Sequence, residues 1–418
     1  MASPQIAAAL EEAGKSSNTT EYLNILENIK SSPNPDSVAA DLTAFIDDVL
    51  AGNHGVVNTR TLVTNFITAL RALNNHDLWI QVGQHAVRTI PTAALSSSLI
   101  EQSASLRELV ATAHEANEDF LDAAKMLSDI PLDSSQRRVG DAEKAAIWVR
   151  IVRNYLEVDD STTAERYLNK LKNVMHDVAD AELNLHFRLS AARIQDSNRQ
   201  FLQAAKSYHD ISFSPAIAED ERLHTLAMAI KCAILAPAGP LRGRALAQLY
   251  KDDRSAGLEE HGILEKMFFD RLLSTAEVDK FAQDLAPHQL AKTSDGSTVL
   301  AKAVVEHNLL SASRLYSNIG FDELGLLLGL DGKKAEDTTA KMIEQGRLVG
   351  SIDQIDRIIW FEGGDASGEK GSGRAEIPVG KEMRRWDANV QALAEDVERL
   401  TDALQAEFPE FVAAQIAV

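Results

Sequence analysis

Cysteine occurs once in the 418 residues, at Cys232. That excludes a disulfide scaffold and any multi-cysteine zinc or iron–sulfur site, and it fits a reducing compartment. Positive charge is in short supply as well: 42 Lys plus Arg stand against 62 Asp plus Glu, a formal charge of −20. An excess of that size argues against nucleic acid as the main partner, because phosphate neutralisation needs clustered Lys and Arg. Nowhere do 18 apolar residues run together, so no membrane partner is expected. Residues 1–10 lack a basic start, and Pro4 and Gln5 break their apolar run, so no signal peptide is expected either. A soluble intracellular protein is the expectation.

Proline is sparse too. None of the 11 falls between Pro131 and Pro215 or between Pro287 and Pro378. Both stretches carry apolar residues at three- and four-residue spacing, the signature of amphipathic helices. With 45% hydrophobic residues the chain can bury a sizeable core, which excludes wholesale disorder. Its length suits two to three domains or one repeat array. Three segments share a small-residue step followed by a basic and an apolar position: Ala123-Ala124-Lys125-Met126-Leu127, Ala164-Glu165-Arg166-Tyr167-Leu168 and Ala204-Ala205-Lys206-Ser207-Tyr208. The offsets are 41 and 40 residues, and a polar turn and another helical stretch precede each segment. Such units cannot bury their apolar faces alone, so they are expected to stack into a right-handed, TPR-like helical-repeat solenoid over 1–214. Residues 61–90, with a turn at Asn74-Asn75-His76, read as another pair.

Residues 215–296 stay helical but lose the repeat phase, with breaks at Pro237-Ala238-Gly239-Pro240 and Ala286-Pro287-His288. The texture changes over 297–361. A helical run from Thr298 to Leu315 precedes Asn318-Ile319-Gly320, then an apolar helix from Phe321, a turn at 329–332 and a third helix to Gln345. Two β-rich stretches, Arg347–Ile352 and Arg357–Phe361, flank Asp353-Gln354-Ile355-Asp356. Helix, strand, helix, turn, helix, hairpin is the order of a winged helix, and Gly346 sits where its third helix should stop. Six glycines in 362–380 read as a flexible linker. In the following helix, 381–407, Met383, Trp386, Val390, Leu393, Val397, Leu400 and Leu404 recur at alternating steps of 3 and 4. This is a heptad seam over roughly 32 Å of helix, and it needs a partner surface. Residues 408–418 form a tail. The fold class is therefore all-α dominated, with one small β-hairpin sheet.

Catalytic constellations are missing. Among the 11 histidines there is no His-x-His and no His-Glu-x-x-His, so no metal site has a local nucleus and no cofactor is expected. Gly14-Lys15-Ser16 lacks the glycine five places earlier that a phosphate loop requires, since Ala9 stands there. Gly371-Ser372-Gly373 follows no strand, so a dinucleotide reading fails in the same way. Cys232 lies in an apolar helical run and reads as a buried, inert thiol. His307 could act as an acid–base group but reads more simply as a packed, hydrogen-bonded residue. The reading is of a protein that is not an enzyme.

A winged helix can also bind DNA. Over 331–360, however, five Lys and Arg face six Asp and Glu, a net of −1, with two aspartates at the wing tip. A small sheet with an open edge can instead pair with another chain's edge, backbone to backbone. The candidate interaction residues are therefore Arg347, Leu348, Val349, Ser351 and Ile352 at the hairpin, and Met383, Trp386, Val390, Leu393, Val397, Leu400 and Leu404 on the last helix. A basic face or a salt-dependent DNA shift would favour the nucleic-acid alternative.

A helical array running into a winged helix is the layout of PCI domains, scaffold modules of the proteasome lid, the COP9 signalosome and a translation initiation factor. Specific stretches resemble the COP9 signalosome subunit 4 family: Gly262–Met267 with Asp270-Arg271, Pro287-His288-Gln289, Asp295-Gly296-Ser297, Glu306–Ser313 with Leu315-Tyr316, and Ile352-Asp353-Gln354-Ile355-Asp356. The resemblance covers roughly 100–361. It implies a non-catalytic scaffold in the cytoplasm and nucleus, with the related proteasome-lid subunit as the nearest alternative. The winged helix would join an arc of PCI domains, and the last helix a shared helical bundle. The remaining subunits, including a metalloisopeptidase pair, would be partners. The array would help sense cullin–RING ligases, from which the complex removes the ubiquitin-like modifier NEDD. His307 would then serve packing.

Overall fold

The structure is a computed structural model. It describes residues 3–16, 19–31, 35–52, 54–92, 96–132, 137, 139–292, 296–362, 365–366, 375–376 and 379–411. The chain divides into two compact units, Met1–Asn198 with Ser214–Ile217, and Arg199–Phe213 with Ala218–Val418.

Among its described residues the first unit contains helices and no strand. It comprises α1 (Pro4–Ser16), α2 (Thr19–Lys30), α3 (Pro35–Ala51), α4 (Val56–Ala72), α5 (His76–Thr89), α6 (Ile100–Ala116), α7 (Phe120–Ser128), α8 (Asp141–Glu157), α9 (Ser161–Lys172) and α10 (Ala181–Ser197). Polar residues start several of these helices, Asn75 and Asp160 among them at predicted turns. Asn75 accepts from the Leu78 N–H at 3.3 Å, Asp160 from Thr163 at 3.0 Å and Asp180 from Glu182 at 2.9 Å. Hydrogen bonding from the Thr163 side chain, and then from its N–H, holds the Asp160 carboxyl below the usual carboxylate range.

Apolar stripes bury against successive neighbours, α5 on α6, α6 on α7, α7 on α8 and α8 on α9. The small residues picked out in sequence, Ala123, Ala124 and Ala164, are fully buried, which is what lets paired helices close. Two interhelical ion pairs repeat along the array, Arg150 to Glu115 and Arg193 to Glu157, both at 2.8 Å. At the N-terminal end the core is aromatic, with Phe45 stacked on Phe66 at 6.2 Å and Tyr22 edge-on to Phe45 at 5.9 Å.

The turns share one backbone device. Asn74, Glu118 and Asp159 take left-handed φ values of 45°, 64° and 60°, and Arg199 repeats it at 60°. The N–H groups of Asp119 and Asp160 then reach back to the carbonyls of His114 and Tyr155, at 2.9 and 3.0 Å. Each closes a helix end in the Schellman manner without the usual glycine.

The second unit holds α11 (Phe201–Ser212), α12 (Glu219–Leu235), α13 (Pro240–Tyr250), α14 (His261–Phe268), α15 (Thr275–Gln283) and α16 (Val299–Leu315). Cys232 is buried in α12. The winged helix follows: β1 (Asn318–Gly320), α17 (Phe321–Leu328), α18 (Gly332–Glu344), β2 (Gly350–Asp353) and β3 (Ile358–Phe361). Its sheet is antiparallel in the order β1-β3-β2. Ile359 pairs with Ile319 on one side and Ile352 on the other, and its side chain is fully buried. Gly346 adopts φ 65° where α18 ends, and the Arg347 N–H closes back to the Met342 carbonyl at 2.9 Å. Gly325 sits where α17 meets the turn into α18, and a Cβ there would stand 2.7 Å from the Leu330 carbonyl oxygen.

The segment expected to be a flexible linker contains one short ladder, β4 (Asp365–Ala366) paired antiparallel with β5 (Ala375–Glu376). The rest of its glycine-rich stretch lies outside the described residues. The last helix, α19, spans Val379–Glu407. Pro409 explains its end, because the residue before a proline is pushed out of the helical region. Of the tail, 412–418 lies outside the described residues.

Candidate interaction surface

The surface rests on a buried polar lock in α16. Glu306, His307 and Asn308 are consecutive and all buried. Each is satisfied by a different partner. The Glu306 carboxylate accepts both terminal nitrogens of Arg347, with Nη2 at 3.0 Å, and the Ala238 N–H at 3.2 Å. Asn308 makes a reciprocal pair with the Leu273 backbone, accepting its N–H at 3.0 Å and donating to its carbonyl at 3.3 Å.

His307 donates through Nε2 to the Arg271 carbonyl at 2.9 Å. Its Nδ1 accepts from the Arg242 guanidinium at 3.3 Å. A carbonyl can only accept and a guanidinium can only donate, so these partners select the Nε2–H tautomer. Burial, then the Arg242 charge, pushes His307 down from 6.5 to about 4, and the ring is neutral at pH 7. Burial likewise lowers Arg242 to about 10, which leaves it charged. This ring holds a loop and is not poised for proton transfer.

The hairpin residues divide. Arg347 is engaged by Glu306 and also donates to the Ala238 carbonyl at 3.2 Å. Leu348 and Val349 are buried, Leu348 in the winged-helix core. This corrects part of the sequence expectation: the side chains of Arg347, Leu348 and Val349 are already engaged within the chain. Ser351 and Ile352 do lie on β2, which has a free outer edge among the described residues. Ser351 is exposed and pairs with Trp360, which is also exposed, so the outer face of the sheet carries a large aromatic. Sequence reasoning missed Trp360, although the alternation Ile359 in, Trp360 out, Phe361 in was readable from the strand period.

The turn between β2 and β3 is tightly held. One oxygen of Asp353 accepts the N–H groups of Ile355 and Asp356, at 2.9 and 3.1 Å. Gln354 donates to Glu336 at 2.6 Å, and Arg357 pairs with Asp322 at 3.0 Å.

On α19, Trp386, Val390, Leu393, Val397, Leu400 and Leu404 are all exposed, between 39% and 65% of full accessibility. The side chain of Met383 lies outside the described residues. From Asn389 to Phe411 every side chain is exposed, so among the described residues the seam has no partner. Among the described residues no group of His, Cys, Asp and Glu could hold a metal ion.

Comparison with known proteins gives this architecture a family. The family described as PSMD12/CSN4, N-terminal, matches residues 3–220, and the PCI domain matches residues 275–362. COP9 signalosome complex subunit 4 of Neurospora crassa is 64% identical over 415 residues, covering 94% of each chain. The chain belongs to the COP9 signalosome subunit 4 family. Its counterpart in Emericella nidulans is 49% identical over 412 residues, covering 96% of this chain and 97% of the relative. The Arabidopsis thaliana protein is 38% identical over 367 residues, covering 86% and 88%. The PCI match of this subunit 4 family member takes in α16, with its buried lock, and the whole winged helix.

Proposed function

We propose that this chain is a non-catalytic scaffold and substrate-sensing subunit of a COP9 signalosome, working in the cytoplasm and nucleus. In that role it supports removal of NEDD from cullin–RING ligases by a metalloisopeptidase carried on another subunit. The relatives' shared name supports membership of the complex.

The observation that carries the reading is the exposed seam of α19. Six large apolar side chains stand in water on one helix. Burying each is worth about 1.5–3 kcal/mol, on the order of 10 kcal/mol for the stripe before association costs are subtracted. The positions beside the seam, read from the sequence, are Asp387, Asn389, Ala394, Asp396, Thr401 and Ala403. They lack the alternating Glu and Lys that specify a two-stranded coil, and their alanines widen the apolar face. Both features suit a multi-helix bundle. The free β2 edge supports docking of the winged helix against a neighbouring PCI sheet.

The test is native mass spectrometry of the full-length, tagged chain from its own cells, alongside a Leu393→Asp/Leu400→Asp variant. The wild type is expected in a multi-subunit particle with a metalloisopeptidase. The variant should keep its melting temperature, because both side chains are exposed, yet lose at least about tenfold in incorporation. Undiminished incorporation would sink the bundle role. Proteasome-lid partners in place of signalosome subunits would move the chain to the other branch of the PCI scaffolds.

A further inference from the structure

Ile355 is 93% exposed, the highest value of any large hydrophobic side chain among the described residues. It stands at the tip of the wing, on a turn that the chain holds from several directions. Asp353 binds the two backbone N–H groups that follow it. The Gln354 side chain is tied to Glu336 of α18. Arg357, at φ 57°, is fixed on both sides: its guanidinium pairs with Asp322 and its carbonyl accepts the Phe321 N–H at 3.0 Å. A lone aliphatic side chain is thus presented on a rigid support, with little ordering left to occur on binding.

The charge around it points to the partner. Arg357 is neutralised by Asp322. Asp353 is met only by backbone amides, and Asp356 has no cationic partner among the described residues. Two uncompensated carboxylates therefore flank Ile355. An anionic lipid surface or a nucleic acid would be repelled by them. A protein socket with an apolar floor and Lys or Arg on its rim would match both the side chain and the charge.

We propose that Ile355 is a docking knob that inserts into such a basic-rimmed apolar socket on another subunit. The proposal rests on the scaffold reading above. It concerns the wing tip, a contact separate from both the β2 edge and the α19 seam.

The experiment places the photo-crosslinking residue p-benzoylphenylalanine at position 355 of the full-length chain and irradiates the purified particle. The expected result is an adduct to one peptide of another subunit, with apolar residues and a Lys or Arg close by. In parallel, Ile355→Asp should weaken assembly roughly ten- to a hundredfold at unchanged melting temperature, while Ile355→Leu retains it. An intact particle with no adduct, with adducts scattered over many peptides, or with adducts only to this chain or a second copy of it overturns the knob alone. So does full assembly of Ile355→Asp. Failure of the wild type to form any particle overturns the scaffold reading, and this proposal with it.

Discussion

Acidification should unlock the second unit through His307. The folded ring protonates near pH 4, whereas the unfolded ring takes a proton at an ordinary 6.5. Below pH 6.5 the unfolded chain therefore binds more protons, so stability is fully present above 6.5 and falls as the pH drops towards 4. At ~1.4 kcal/mol per pH unit, the gap between those two values is worth about 3 kcal/mol. Structurally, a proton on Nδ1 would face the Arg242 guanidinium, which can only donate, at 3.3 Å. The Arg271 carbonyl would keep its hydrogen bond, so the loss comes first from placing a charge in a buried site and then from its repulsion by Arg242. The assay is urea unfolding of the full chain and of His307→Gln between pH 7.5 and 4.5, with hydrogen exchange of α16 amides identifying the transition. At pH 7.5 the variant should be the less stable protein, by about 1–3 kcal/mol for the altered buried hydrogen bonds. Its disadvantage should shrink by roughly 2–3 kcal/mol by pH 4.5, because only the wild type carries the titrating ring. A difference that stays constant with pH, or widens on acidification, would refute the argument.

Two further perturbations probe the same unit. Arg347→Met should destabilise it by about 3–5 kcal/mol by stranding the buried Glu306 carboxylate, and adding Glu306→Met should recover much of the loss; equal stability of single and double variants in denaturant titrations would count against a buried pair. Gly325→Ala should cost about 1–3 kcal/mol, because its methyl group meets the Leu330 carbonyl and backbone cannot rotate away as a side chain can; a melting temperature equal to wild type would contradict that close approach.

Much of the winged helix is written in local sequence. Its strand at 318–320, its helix from Phe321 and its Gly346 stop all follow from local signals: strand period, helix period and a residue free to take positive φ. The α19 seam was legible for the same reason, since its spacing is a property of one helix. Other features had no local signal. Glu118, Asp159 and Arg199 adopt the left-handed turn without being glycine, so only the repeated backbone geometry reveals it. Leu348 and Val349 looked like edge residues because a β-rich stretch says nothing about which of its residues precede the strand and turn inward. Trp360 had a local signal in the strand period, but only the folded sheet shows that its outer face is uncovered.

By itself the sequence determined the all-helical repeat, the winged-helix order and the apolar stripe, because periodicities of 3.6 and 2 residues are written into neighbouring positions. It also excluded a cysteine scaffold and a generally basic surface by composition alone. Only the tertiary structure decided what Glu306, His307 and Asn308 do. Their partners lie 35 to 68 residues away along the chain, at Leu273, Arg271, Ala238 and Arg242, with Arg347 41 residues off. Three consecutive polar residues on a helix can be a solvated face, a catalytic cluster or a lock, and the choice depends on which loops fold against them. The same holds for the exposed Ile355, since exposure is a property of the assembled chain and not of an isoleucine between two polar residues. Hydrogen bonding and burial are fixed by packing at long sequence separation, and so they appear only once the chain has closed on itself.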